Sequence, residues 1–115
     1  MKKPDLTARK DWLWGVNGHN RDYPAYPEEQ LEKQIGLAAE LGVQLYRFNY
    51  TPVNEDMFAY LDKVVDTCDR YGLKLFLVCF DQSFIGYAHP EALYDTARRI
   101  AQRYRGRIPL YQASN

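Results

Sequence analysis

The stretch Leu73-Lys74-Leu75-Phe76-Leu77-Val78-Cys79-Phe80 is apolar at every position except Lys74. A strand with one face in water alternates apolar and polar residues. A near-continuous apolar run bounded by turn residues marks a strand covered on both faces, as in a parallel sheet. Parallel strands require crossover connections, so helices are expected on both sides of this run. Upstream, Asn54-Glu55-Asp56 opens a helix with an apolar stripe of Phe58, Leu61, Val65, Cys68 and Tyr71, and Gly72 ends it. Further back, Val43 to Tyr50 reads as a strand closed by Thr51-Pro52. The helix before it starts at Pro27 beside Glu28 and Glu29, turns Leu31, Ile35, Ala38 and Leu41 inward, and stops at Gly42. The first strand is Trp12-Leu13-Trp14-Gly15-Val16, followed by the turn-forming Asn17-Gly18-His19-Asn20. Downstream, a loop from Asp81 to Pro90 leads to a helix carrying Leu93, Ala97, Ile100, Ala101 and Tyr104. Gly106 follows, then a strand from Ile108 to Ala113.

The order is βαβαβαβ, an α/β pattern with strands starting near residues 12, 44, 73 and 108, at the spacing of a βα unit. Helix-to-strand connections are short and marked by glycine, whereas the loops after strands are longer and rich in Asn, His, Asp, Tyr and Pro. A (β/α)8 barrel shows this asymmetry because its chemistry sits on the loops after the strands. A Rossmann or flavodoxin-like sheet shares the order, but Gly15-Val16-Asn17-Gly18-His19 lacks the G-x-G-x-x-G spacing of a phosphate loop. A whole barrel takes roughly 250 residues; these 115 hold four strands and three helices. The expected architecture is half of a TIM barrel over residues 12–115, with residues 1–11 as an N-terminal extension.

Fifteen basic and fifteen acidic side chains cancel, which gives no electrostatic case for nucleic acid, whose binders usually carry a basic face. No apolar run approaches the ~18 residues of a membrane span. The aromatic share is 15%, with ten tyrosines and two tryptophans, compatible with sugar stacking and with plain packing. Most of Trp12, Trp14, Tyr46, Tyr50, Phe80, Phe84 and Tyr87 are expected to pack the barrel. Cys68 and Cys79 stand in apolar surroundings and read as small buried hydrophobes. Met1-Lys2-Lys3-Pro4-Asp5-Leu6 lacks the apolar core of a signal peptide. The chain as given therefore reads as cytoplasmic, or as secreted if a signal peptide was trimmed.

The polar residues at the strand ends are the site candidates: Asn17 and His19, Arg47 and Asn49, Asp81 and Gln82, Ser114 and Asn115. Arg47 interrupts a strand otherwise built of Leu, Tyr and Phe, and a buried arginine costs several kcal/mol unless an anion compensates it. It is either an outward or strand-end arginine capping a helix, or a support holding a catalytic carboxylate ionised. Asn17 and His19 either shape a turn or line a pocket. Asp81 reads equally as a helix cap, a hydroxyl acceptor or a metal ligand.

Three segments together, Trp14-Gly15-Val16-Asn17-Gly18-His19, Tyr46-Arg47-Phe48-Asn49 and Leu110-Tyr111-Gln112-Ala113-Ser114-Asn115, resemble the first half of a retaining glycoside hydrolase. The clan has (β/α)8 barrels with two catalytic glutamates and includes cellulases, mannanases and β-xylosidases. The resemblance implies that Arg47 supports the nucleophile and that Asn115 contacts the sugar 2-hydroxyl, with the acid/base glutamate next in line. Asn17, His19 and Asn49 are then further substrate-binding candidates. It implies no metal and no organic cofactor. Neither catalytic glutamate falls within these residues, and Glu55 and Glu91 read as helix caps, so this stretch alone is expected to be inactive.

Its implied partners are a carbohydrate, in the complete enzyme, and the missing C-terminal half; nucleic acid and membrane are not. A rival reading is a non-enzymatic half-barrel that self-associates through its open sheet, with Trp12, Trp14, Leu45, Leu75, Leu77 and Leu110 at the interface. A second rival, a metal-dependent sugar isomerase or epimerase of the barrel type, is offered only His19 and Asp81 as ligands.

Overall fold

The computed structural model describes residues 13–80 and 90–114; Trp12, Asp81, Gln82, Phe84, Tyr87 and Asn115 lie outside them. Strands β1 (Gly15–Asn17), β2 (Leu45–Asn49), β3 (Lys74–Phe80) and β4 (Leu110–Ser114) alternate with helices α1 (Leu31–Glu40), α2 (Glu55–Arg70) and α3 (Pro90–Arg103). They form one sheet in the order β1-β2-β3-β4, every neighbouring pair parallel. The chain is therefore a run of consecutive βα units, a partial TIM barrel as expected. Short differences occur at the ends. β1 begins at Gly15 and not at Trp12, and a 3-10 turn, Glu28–Gln30, stands between Pro27 and α1. The Asn54 side chain accepts from the Met57 amide at the start of α2. Gly42, Gly72 and Gly106 follow the three helices with φ between +72° and +82°, a conformation that costs glycine nothing.

Residues paired in register share a face of the sheet, and alternate residues point to opposite faces. Tyr46 and Phe48 of β2 and Leu75, Leu77 and Cys79 of β3 face the helices, where they are buried with Ile35, Ala38, Phe58, Leu61, Val64, Val65, Cys68, Ile100 and Tyr104. Leu45, Arg47 and Asn49 face the other way. This corrects the expectation that Leu75 and Leu77 lie on the open face: they are 2% and 0% exposed beneath the helices. Leu45 and Leu110 do lie on the open face, and Trp14 is half-buried against the core. Leu41 and Tyr71, expected on buried stripes, sit just beyond the ends of α1 and α2 and are 56% and 40% exposed. Cys68 and Cys79 are buried, and burial pushes both thiols up to about 12.

The helix layer is also tied by charge, with one polarity. Glu28 and Glu32, before and in α1, receive Lys63 and Arg70 of α2. Glu55, Asp62, Asp66 and Asp69 of α2 receive Arg99, Arg103 and Arg107 in and after α3, Asp62 at 2.6 Å and the last two at 2.7 Å. At each seam the earlier element supplies the acid and the later one the base. Such exposed pairs are each worth about 0–1 kcal/mol; their consistent polarity favours this helix order over a shuffled one. Asp62 is the most built-in, accepting from both Arg103 and the Tyr104 hydroxyl, and its carboxyl is held below the ordinary 3.8 chiefly by Arg103.

Two measurements check this arrangement. Leu77→Ala is expected to lose about 2–5 kcal/mol in urea unfolding, while Leu110→Ala loses less than about 1 kcal/mol; equal losses would refute the face assignment. Asp62→Asn is expected to unfold at lower urea than the parent at neutral pH. Because the folded-state pKa is depressed, the stabilisation is present above 3.8 and the gap closes as the pH falls through the folded value.

Candidate functional site

Parallel pairing brings the C-terminal ends of all the strands to one end of the sheet, where Asn17, Arg47, Asn49 and Gln112 gather on the face opposite α1, α2 and α3. Arg47, in the middle of β2, is paired in register with Asn17 on β1 and Phe76 on β3. Its Nη1 donates to Asn17 Oδ1 at 3.1 Å. On the opposite side its Nε and Nη2 both donate to Gln112 Oε1, each at 3.3 Å. Phe76 is level with Leu110 and Val78 with Gln112, so the guanidinium reaches over β3 between Phe76 and Val78. One side chain thereby links β1, β2 and β4 across the open face. Arg47 lies on the sheet face away from α1, α2 and α3, in hydrogen-bond contact with Asn17 and Gln112.

Asn49 stands two residues beyond Arg47 on the same face, level with Val78 and Gln112, and is half-buried. The structure thus groups Asn17, Arg47 and Asn49. His19 follows Asn17 by two residues and lines one groove with it. Its ring packs on Tyr26 at 4.5 Å and edge-on to Tyr23 at 5.2 Å. It lines a groove of about 270 Å³ with Tyr26, Gln34, Leu37 and Tyr46, beside β1 and α1. Asn115 lies outside the described residues. Glu55 opens α2 and pairs with Arg99 at 3.1 Å, and Glu91 is exposed in the first turn of α3. Among the described residues no group of three or more His, Cys, Asp and Glu is arranged to hold a metal ion.

The loop after β1 is pinned to the rest of the fold. Asn20 is buried and donates to the Asn49 carbonyl at 2.6 Å. The Arg21 amide donates to the Tyr60 hydroxyl at 3.0 Å, and burial pushes that phenol up to about 12. The Arg21 guanidinium lies 4.6 Å from the Tyr60 ring centroid and pairs with Asp56 at 2.6 Å and Glu28 at 2.9 Å. Lys63, then Arg21, hold the Glu28 carboxyl below its ordinary value. Gly18 donates to the Arg47 carbonyl at 2.8 Å, and a Cβ there would fall 2.0 Å from the Tyr46 hydroxyl. Sequence reasoning assigned no role to Gln112, Asn20 or Arg21. For Gln112 a signal exists: it is the one amide in β4, and it occupies the pleat position that shares Asn49's face.

No protein-family profile matches the sequence, and no curated protein sequence does. Solved structures do. An aphid myrosinase superposes with a TM-score of 0.72 at 9% identity, covering 90% of this chain and 34% of its own. The virulence factor SghA of Agrobacterium tumefaciens, solved with the substrate analogue salicin, superposes at 0.65 with 21% identity, covering 76% and 24%. The psychrophilic β-glucosidase BglU of Micrococcus antarcticus reaches 0.62 at 17% identity over 73% and 22%. The chain thus spans about a third or less of these proteins.

Gly18→Ala is expected to cost about 1–3 kcal/mol through the clash with Tyr46, read by urea unfolding, and Tyr46→Phe in the same background to recover part of it. In architecture the chain is a segment of a (β/α)8 barrel like those of the glycosidases it matches.

Proposed function

We propose that this segment serves a retaining β-glycosidase, supplying the half of the site that binds the sugar and supports the nucleophile. The observation that carries the reading is the Arg47 guanidinium held between Asn17 and Gln112 on the face opposite α1, α2 and α3, in a barrel segment similar to β-glucosidases. Retaining hydrolysis requires two carboxylates about 5 Å apart. One protonates the leaving oxygen while the other attacks the anomeric carbon; the first then draws a proton from water, which releases the sugar from the second. Both glutamates are expected from outside these residues. Arg47 would keep the nucleophile ionised through charge-assisted hydrogen bonds. Asn115 would contact the sugar 2-hydroxyl, and Asn17 and Asn49 would contact other hydroxyls. His19, turned onto Tyr23 and Tyr26, is the weakest of the substrate contacts.

The test starts with the reading frame beyond the Asn115 codon: a glutamate codon next, followed by about 130 residues of further βα pattern, supports the reading, and any other residue there removes its acid/base. The polypeptide so encoded is then assayed on aryl β-glycosides. It is expected to release the β-anomer first, seen by proton NMR, and to lose about 10²-fold in kcat on Arg47→Ala. Inversion of the anomer, or an unchanged kcat, would overturn the assignment.

A second reading, self-association, is favoured by a separate observation: Leu110 on the open face and Tyr111 on edge strand β4 are 37% and 44% exposed. Sedimentation of the 115-residue chain tests it; a concentration-independent monomer removes it.

A further inference from the structure

We infer that Gln112 is a positioning residue for Arg47, orienting the guanidinium from β4. The inference rests on the role proposed above for Arg47, which it deepens. The geometry is specific. A guanidinium on a strand has a long, rotatable stem, and losing that freedom costs entropy. Here one amide oxygen accepts from the Nε and Nη2 edge while Asn17 accepts from Nη1, so the plane is gripped from opposite sides. Gln112 is half-buried and Arg47 likewise, which reduces competition from water.

Three variants of the full 115-residue chain test the grip on the guanidinium. Arg47 Nε–H is followed by nitrogen-15 NMR, with urea unfolding as the check on folding. Gln112→Ala is expected to raise Nε–H exchange roughly tenfold or more, the size of losing a hydrogen bond to a charged group. Gln112→Asn, one methylene short, should behave the same way, and it serves as the second variant if alanine impairs folding. Gln112→Glu should keep the exchange within about twofold of the parent, because it restores the acceptor. Exchange unchanged in both shortened variants overturns the positioning role, as does a tenfold rise in the glutamate variant.

Because the exchange measurement needs no sugar and no turnover, the positioning role can fail while the glycosidase reading stands, and the reverse.

Discussion

A parallel sheet with its crossovers on one side packs only one of its faces against helices, and the pleat decides which residues take it. In β2 and β3 the helix-facing set is Tyr46, Phe48, Leu75, Leu77 and Cys79, all in the core; Val78 and Phe80 are also buried, on the opposite face. A one-residue slip of either strand would turn these side chains away from α1, α2 and α3 and bring Arg47 and Asn49 against them. Burial of five large groups on one side and the cost of desolvating a guanidinium on the other thus act in the same direction. The register that forms the core is also what delivers the polar row to the open face.

That row is consequently a product of the whole sheet. Asn17, Arg47 and Gln112 come from three strands separated by helices, and none is near another in sequence. Their meeting requires every intervening βα unit to have its proper length and hand. The charged seams contribute here. By giving each earlier element acids and each later one bases, they discourage a helix from docking against the wrong neighbour, though each pair alone adds little. The β1 loop is secured by contacts of its own, with the polarity reversed: Arg21 reaches Asp56 at the start of α2, and Asn20 reaches the carbonyl of Asn49. Helix α2, β2 and the loop at the mouth of the site are joined by the same few contacts.

The strand and helix order was legible because glycine stops and apolar periodicity are local signals: Gly42, Gly72 and Gly106 lie where left-handed φ ends each helix. Arg47 was legible as a charge out of place in an apolar strand. The faces of β3 were not, since in a run such as Leu75-Phe76-Leu77-Val78 both faces are apolar and the pleat leaves no mark on composition. Leu41 and Tyr71 continue the helical period beyond the last turn, so periodicity alone counted them as buried. Gln112 needed information of a longer range. Its partnership with Arg47 spans 65 positions in sequence and depends on the registers of two strand pairs. The packing of the His19 ring on Tyr23 and Tyr26 was not legible either, since the chain reads through that loop as turn residues and offers no period to place the rings.

The two margins of the sheet carry the same kind of unfilled surface. Along β4, Cys79, Ala97, Ile100, Ala101, Tyr111 and Ala113 line an apolar groove of about 260 Å³ between the strand and α3. Along β1, Val16, Leu37, Ala38 and Leu41 contribute to the groove of about 270 Å³ beside α1. Within the chain, the equivalent spaces between helix and strand are filled by the next helix: Phe58 and Leu61 of α2 do this beside β2 and β3. A repeating βα array therefore satisfies its interior units completely and its marginal ones only in part. Closure into a barrel removes both margins at once, because each edge strand gains a neighbour and each groove gains a helix. The open face is subject to the same condition. Arg47 and its amides are placed by the four strands present, yet a concave site around them requires the wall that closure brings.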